Sequence, residues 1–340
     1  MKAVTAPDTR NLSLWLPGYL ALSVIWGSSF LFIKLGVHEM HPLYVTLGRV
    51  ATGGLFVLAV LLITRGRLPR SAKVWGHLAF VGLVGVTIPF TLFGYGEQRI
   101  SSALAGIWNA TTPLFVLPIA VLVFRTEKLT WRRVAGIVIG FLGVLVVLGV
   151  WQGVGGAQLT GQLMCAGAGL CYAIAIPYQR KFLSGLGGEG AESRASRIKR
   201  VGTFSSGISV PAGQLLMAFA QLAIVAPLVA GPPPAVASLS GAAIGSVVAL
   251  GALGTGLAFV LNFRVIRYAG ASVSASVTYL IPIVATVIGV SVLGEPLSWR
   301  QPAGAAIILA GVAISQGVLR LPLRARRPTP ADHPVTADAT

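Results

Sequence analysis

Ten apolar runs of about 20 residues, the length needed to cross a bilayer, divide most of this chain. Hydrophobic residues make up 55% of the 340-residue sequence and charged residues only 10%, whereas soluble domains carry about 25% charged residues. The runs lie near residues 16–37, 42–64, 74–96, 101–124, 132–150, 159–180, 212–231, 239–263, 271–294 and 301–319. A soluble fold could not cover this much apolar surface with so few charges, so the sequence predicts an all-α integral membrane protein.

Basic residues are distributed unevenly between the two ends of these runs. If the chain crosses the membrane ten times, nearly all of its 26 lysines and arginines fall on the side that holds the N-terminus. Arg99 and Arg300 fall on the opposite side, while Lys34 and Arg49 lie within spans. Because lysine and arginine collect in cytoplasmic loops, we expect both termini to be cytoplasmic and the membrane to be a bacterial plasma membrane.

The positive charge of the chain does not require a nucleic-acid partner. A formal net charge of +17 is explained by this topology and by contact with anionic lipid headgroups. The four histidines lie at interfaces or in the C-terminal tail, without a metal-site spacing such as His-Glu-x-x-His, and the phosphate-binding pattern Gly-x-x-x-x-Gly-Lys-[Ser/Thr] does not occur. We therefore expect no catalytic residue, no metal, no cofactor and no enzyme activity.

A short phrase occurs twice in the sequence. Residues 127–132 read Glu-Lys-Leu-Thr-Trp-Arg, residues 295–300 read Glu-Pro-Leu-Ser-Trp-Arg, and a proline precedes each copy, Pro113 and Pro282. Each copy belongs to a set of five spans, and because five is odd the second set must cross the membrane in the opposite direction. The sequence thus predicts ten transmembrane helices as two inverted five-helix repeats, an organisation typical of secondary transporters.

The repeats set the expected domain organisation. Residues 1–14 form a cytoplasmic tail, 15–150 the first five-helix repeat and 159–319 the second. A basic cytoplasmic loop rich in glycine and serine is expected at 184–208, within the second repeat, and a basic disordered tail at 320–340.

Two smaller patterns support the duplication and the packing of the helices. Gly48-Arg49 in the second span is echoed by Gly213-Gln214 in the seventh. The small-residue pairs 136/140 and 241/245, each with three residues between the glycines, are expected to let helices approach closely.

The first span resembles the opening motif of a known transporter family. Residues 26–30 read Trp-Gly-Ser-Ser-Phe, as in EamA-type transporters of the drug/metabolite transporter superfamily, and the blocks 113–143 and 282–311 are similar to the repeated block of that family. The resemblance covers roughly residues 15–319, with a loop at 184–208 that is longer than the family's usual pattern. It implies a ten-helix bundle that exports or imports small metabolites.

Polar and aromatic side chains at mid-span depth are the candidates for contact with a substrate, because they are unfavourable in lipid and tend to face a cavity. The expected substrate-binding residues are Trp26, Arg49, Tyr95, Trp108, Asn109, Thr112, Tyr172, Asn262, Thr278 and Tyr279. Proline frees a carbonyl one turn earlier, so Pro113 and Pro282 are expected to be helix hinges. The alternative is that these side chains only pack or hydrogen-bond between helices.

Arg49 is the most specific of these candidates. It lies seven residues into its span, about 10 Å from the outer end. One interpretation is that the side chain snorkels to the outer surface. The other is that it binds a carboxylate or phosphate of the substrate, or forms a gate with Glu39 or Glu97.

The sequence predicts a secondary transporter, with export as the expected direction, of a small polar or amphipathic metabolite such as an amino acid or related compound. A multidrug exporter for lipophilic compounds is the alternative within transport, and a non-transporting membrane receptor or scaffold is the alternative of another class. The expected partners are the small-molecule substrate, membrane lipids and a possible coupling ion, and the oligomeric state stays open. If the coupling ion is a proton, Glu97 or Glu39 is expected to carry it.

Overall fold

The computed structural model describes residues 12–125, 129–152, 156–183 and 200–319. These residues form ten long helices that run back and forth across one bundle. They are α1 (Leu12–Glu39), α2 (Pro42–Ile63), α3 (Ala72–Glu97), α4 (Ser102–Leu122), α5 (Trp131–Leu148), α6 (Gly156–Phe182), α7 (Arg200–Ala230), α8 (Gly241–Ala269), α9 (Val273–Leu293) and α10 (Arg300–Gln316).

The helices have the dimensions of membrane spans. In the described part of the chain, α1 to α9 are long and apolar enough to cross a membrane. The last helix, α10, has 17 residues, which corresponds to about 26 Å and lies at the short end of the range for a span. It packs along α5, its predicted counterpart in the first repeat. The predicted all-α membrane architecture of ten helices in two five-helix sets is confirmed.

Two helices begin inside segments that were predicted to be loop or tail. α7 begins at Arg200, so residues 200–208, predicted to belong to the basic loop, are helical instead. Extending an existing helix by a few residues requires little free energy. The prediction from composition alone therefore placed the start of α7 too late. α1 likewise begins at Leu12, inside the predicted tail. The remaining parts of both predicted tails, residues 184–199 of the loop, and Glu127 lie outside the described residues.

Glycines bring α5 and α10 into backbone contact. A Cβ atom added to Gly136 would lie 2.5 Å from the carbonyl oxygen of Gly311, and one added to Gly143 would lie 2.9 Å from the carbonyl oxygen of Gly304. These distances leave no room for a side chain, and they confirm the close approach predicted at Gly136.

The close helix contact predicted at the second glycine pair, Gly241 and Gly245, is wrong. A Cβ atom added to Gly241 or Gly245 of α8 would meet no atom within 4 Å. Both glycines are exposed on the bundle surface. The same spacing of small residues therefore has two different surroundings in this chain.

The duplicated Trp-Arg pair explains how the ends of α5 and α10 are stabilised. Arg300, at the start of α10, lies against Gly149, which ends α5 with a left-handed φ of 62°. Arg132, at the start of α5, lies against Gly317, which ends α10 with a φ of 83°. Because the C-terminus of a helix carries a partial negative charge, each arginine stabilises the end of the partner helix.

α3 and α8, the third helices of the two repeats, share an irregularity that the sequence pattern did not predict. Each contains a π-helical turn, Leu83–Thr87 in α3 and Ala252–Leu257 in α8. Such turns widen a helix locally and recur at functional sites. Their equivalent positions are a further sign of the duplication.

For the description that follows, the end of the bundle at which α1 begins is called the inner end and the opposite end the outer end, in agreement with the predicted orientation.

Candidate functional site

A cavity of about 590 Å³ lies between the two halves of the bundle. At mid-depth it is lined by Arg49 and Phe93, and at the inner end by Arg180, Leu183 and Gly207. Helices α1 to α4 and α6 to α9 all contribute lining residues, whereas no lining residue belongs to the α5–α10 pair. The volume falls within the range of about 300–1,000 Å³ that small-molecule sites occupy.

Seven of the ten predicted substrate-binding residues line this cavity. They are Trp26, Arg49, Asn109, Thr112, Tyr172, Asn262 and Thr278. These side chains come from six helices in both halves, so the fold brings together residues that are far apart in the sequence. Their role in binding stays a prediction, but their common location agrees with it.

The other three predicted residues do not line the cavity. The Tyr95 hydroxyl lies 3.2 Å from a ring nitrogen of a histidine near the outer end. The buried Trp108 donates its indole N–H to the side-chain oxygen of Gln162 at 3.1 Å, and the Tyr279 hydroxyl donates to the side-chain oxygen of Gln316 at 3.0 Å. Here the packing alternative describes the geometry better, because each polar group bonds to a neighbouring element.

Arg49 is buried in the wall of the cavity and does not snorkel. Its side chain is only 8% exposed. The Nε–H group donates to the Thr255 hydroxyl at 2.9 Å, and the guanidinium carbon lies 3.6 Å from the centre of the Phe90 ring. Thr255 belongs to the π-helical turn of α8, so Arg49 joins the second helix of one half to the irregular helix of the other.

Gln214, the predicted echo of Arg49 in the second repeat, makes the corresponding contact. It lines the cavity, and its side-chain nitrogen lies 3.4 Å from the Val81 carbonyl oxygen. It also borders Gly85, inside the π-helical turn of α3. Both π-helical turns therefore receive a polar side chain from the second helix of the other half. The repeat pattern matched the two positions, but it assigned no substrate role to Gln214, Thr255 or Phe90.

The other polar residues of the cavity differ in whether their hydrogen-bonding groups already have a partner in the protein. Asn262 accepts a hydrogen bond from the Ser274 hydroxyl, and the Thr278 hydroxyl donates to the Ala275 carbonyl at 2.7 Å. The Thr112 hydroxyl oxygen is buried and has no hydrogen-bond partner among the described residues. A buried hydroxyl normally finds a partner, so the Thr112 oxygen is an unsatisfied polar atom packed beside Gly169 of α6, behind the cavity surface.

Two interrupted helices border the cavity. α4 consists of Ser102–Ala110 and Thr112–Leu122, and Pro113 lies in the first turn of the second piece. α9 is interrupted at Ser276, whereas Pro282 lies six residues further along, inside Val277–Leu293. Pro113 therefore coincides with a break and Pro282 does not, and the hinge role of both prolines stays a prediction.

The outer end of the cavity is closed. Phe30 and Phe93 meet edge to face with ring centres 5.6 Å apart. Beyond them the Lys34 ammonium group donates to the carbonyl oxygens of Glu97 at 2.5 Å and Ile100 at 2.9 Å. Lys34, a residue of α1, thus binds the C-terminal end of α3, which carries a partial negative charge.

Two carboxylates connect the halves at the outer end, and we call these contacts the outer clasps. Glu295, after α9, accepts hydrogen bonds from the Ser102 N–H at 2.8 Å, the Ser102 hydroxyl at 2.9 Å and the Ala103 N–H at 3.2 Å. Glu39, at the end of α1, accepts from the Ser240 N–H at 2.8 Å and the Ser240 hydroxyl at 2.5 Å. Each carboxylate lies at the start of a helix of the other half, where the helix dipole favours negative charge.

The two carboxylates expected to carry a coupling proton have different surroundings. Glu97 is fully buried, and neither of its carboxylate oxygens has a hydrogen-bond partner within the part of the chain that the structure describes. Glu39 is exposed and holds an outer clasp. That one of them carries a proton stays a prediction.

Three proteins similar to this chain are named as transporters. A transporter of Archaeoglobus fulgidus is 27% identical over 299 residues, which cover 87% of this chain and 96% of the relative. The inner membrane transporter YedA of Escherichia coli (strain K12) is 27% identical over 343 residues, 97% of this chain and 98% of the relative. The S-adenosylmethionine/S-adenosylhomocysteine transporter of Chlamydia trachomatis is 31% identical over 126 residues, 36% of this chain and 38% of the relative.

A solved crystal structure has the same fold, with a TM-score of 0.59 and 22% identity over 90% of this chain and 97% of its own. The sequence matches the EamA-like transporter family over residues 13–149 and 197–316, a range that includes helices of both halves. With ten helices in the described residues, nine of them long and apolar enough to cross a membrane, a cavity between two duplicated halves and full-length transporter relatives, the chain belongs to the EamA-like transporter family and is a multi-pass membrane transporter.

Proposed function

We propose that this protein moves a small polar or amphipathic metabolite, such as an amino acid or related compound, across a bacterial plasma membrane by alternating access. The observation that carries the proposal is a cavity built from both halves that reaches the inner end while the outer end is closed. Inverted repeats can exchange such arrangements by rocking against each other. Export is the proposed direction, and a cavity that alternating access exposes to each side in turn is compatible with it.

The packing of the bundle suggests which helices move. α5 and α10 hold each other through glycine contacts and reciprocal arginines and contribute nothing to the cavity wall. The rearrangement therefore involves α1 to α4 moving against α6 to α9, with the outer clasps breaking as the inner end closes. We propose that the π-helical turns, which lie on both sides of the cavity, absorb part of this change.

The metabolite proposal is favoured over the two alternatives. Arg49, Asn109 and Gln214 supply polar groups to the cavity, which a purely lipophilic drug would leave unpaired. A receptor or scaffold has no need of a cavity shared by two inverted halves. The relative from Chlamydia trachomatis, whose name states a polar metabolite, supports the same choice.

Blocking the cavity tests the proposal. Val260 lines the cavity, whereas Val248 of the same helix is 47% exposed on the bundle surface. In proteoliposomes loaded with a metabolite extract, exchange of labelled metabolites should occur with the wild-type protein and with Val248→Trp. It should fall at least about ten-fold with Val260→Trp, because an indole ring fills the space a substrate needs. Equal exchange by the two folded variants would contradict transport through this cavity.

The orientation is tested with a matched pair of serines in a background without Cys165 and Cys171. Ser238 is exposed in the loop between α7 and α8, and Ser71 is exposed just before α3. In intact cells, a membrane-impermeant thiol reagent should label Ser238→Cys and leave Ser71→Cys unlabelled until the cells are opened. The reverse pattern would place the N-terminus outside and overturn the orientation.

A further inference from the structure

We infer that the cavity selects organic anions, with a carboxylate or similar oxyanion bound by Arg49 and an apolar or aromatic body held by the neighbouring rings. This inference rests on the proposed transport function and names the substrate class of the same site.

The charged residues that line the cavity in the described part of the chain have one sign. Arg49 lies in its wall at mid-depth and Arg180 near its inner end, and none of the residues lining it in the described part of the chain is an aspartate or glutamate. Charges interact more strongly where the dielectric constant is low. An anion that enters from the inner end therefore meets cations along its path, whereas an organic cation finds no opposite charge among the described residues of the wall.

The contacts of Arg49 hold its guanidinium group in a fixed plane. One face covers the Phe90 ring at 3.6 Å, and the Nε–H group is used by Thr255. No ion pair with a carboxylate of the described residues is among its contacts, although Glu97 is close enough to act on it electrostatically. The two terminal nitrogens are left to bind a ligand, and a guanidinium held in this way suits the two oxygens of a carboxylate.

The rest of the wall fits an amphipathic anion better than a small inorganic one. Trp26, Phe30, Phe93 and Tyr172 line the same cavity as Arg49, so the wall around the bound anion is largely apolar and aromatic. An inorganic ion would leave most of this apolar surface unused, whereas a carboxylate with an aromatic or aliphatic body uses both parts.

Three probes of the same shape test the inference by separating charge from size. They are 3-phenylpropionate, its neutral amide 3-phenylpropionamide, and the cation 3-phenylpropylamine, with dissociation constants measured by calorimetry on purified protein. The anion should bind about ten- to a hundred-fold more tightly than the amide, the range expected for one charge-assisted hydrogen-bonded contact. The amine should bind most weakly.

Variants then assign the preference to one residue. Arg49→Gln should remove the ten- to hundred-fold advantage of the anion and leave binding of the amide nearly unchanged. The control is Arg264→Gln, because Arg264 is exposed on α8 and does not line the cavity, and it should bind all three probes as the wild type does. Should Arg49→Gln fail to fold, Thr255→Val removes the hydrogen bond that orients the guanidinium and should lower anion affinity selectively.

The inference and the proposed function fail in different ways. Equal binding of the three probes, tighter binding of the amine, absence of binding by the anion, or an unchanged anion affinity in Arg49→Gln each overturns the anion site. Exchange of neutral or cationic metabolites alone in the proteoliposome assay would also overturn it, while leaving transport intact. Selective anion binding without any exchange would overturn transport and retain the anion site.

Discussion

Replacing Gly136 by alanine should strongly destabilise the protein. The added Cβ atom would lie 2.5 Å from the carbonyl oxygen of Gly311 and 2.5 Å from the backbone nitrogen of Ser315. Both obstacles are backbone atoms of α10, which cannot rotate away as a side chain can. The helices must separate along a contact in which glycines face each other, so we expect a loss of at least about 1–3 kcal/mol, the usual range for overpacking. The midpoint of thermal unfolding in detergent measures the loss.

Gly245→Ala is the matched control for this experiment. Gly245 also lies inside a helix and in a glycine pair with the same spacing, but an added Cβ atom there meets nothing within 4 Å. Because alanine favours the helix over glycine by roughly 0.5–1 kcal/mol, this variant should be as stable as the wild type or slightly more stable. Equal destabilisation by both substitutions would show that the α5–α10 contact is less close than described.

These two glycines also indicate how far the sequence could predict the fold. Apolar length, basic residues at alternate ends and a duplicated phrase predicted ten helices in two sets, because each of these signals follows from the bilayer itself. The bilayer does not determine which face of a helix packs against another helix. Lipid is as apolar as the protein interior, so Gly136 and Gly245 have the same pattern in the sequence and opposite surroundings in the bundle.

The candidate site was predictable to a similar extent. Polar residues within spans are few, and Arg49, Asn109 and Thr112 do line the cavity. For Trp108 and Tyr279, depth along a helix did not predict whether the side chain faces the cavity, since an aromatic residue at the right depth can still point toward a neighbouring helix. The π-helical turn that brings Thr255 to Arg49 was missed because one widened turn does not change an apolar pattern.

Glu295→Gln should shift the protein toward an outward-open arrangement. Three hydrogen bonds from the start of α4 converge on the Glu295 carboxylate, at 2.8, 2.9 and 3.2 Å. The amide of glutamine keeps one acceptor oxygen but loses the charge and therefore the attraction to the helix N-terminus. A hydrogen bond to a charged group contributes about 1.5–3 kcal/mol, so the population open at the outer end should rise about ten-fold or more.

A cysteine in the cavity reports this shift. Ser29 lines the cavity and is 5% exposed, and Ser29→Cys changes its size little. With Cys165 and Cys171 replaced by alanine, an impermeant thiol reagent applied outside intact cells should label this cysteine slowly in the wild type. Labelling should be about ten-fold faster with Glu295→Gln.

Glu39→Gln separates the loss of this clasp from a general effect of removing a carboxylate. The Glu39 clasp also joins the halves at the start of a helix, but Glu39 is exposed and its contact with Ser240 is screened by water and salt. The acceleration of labelling should therefore be clearly smaller with Glu39→Gln than with Glu295→Gln, and high salt should reduce the difference between Glu39→Gln and the wild type. If folded Glu295→Gln were labelled at the wild-type rate, the Glu295 contact would not hold the outer end closed. The remaining barriers would then be the contact between the Phe30 and Phe93 rings and, further out, the hydrogen bonds of Lys34.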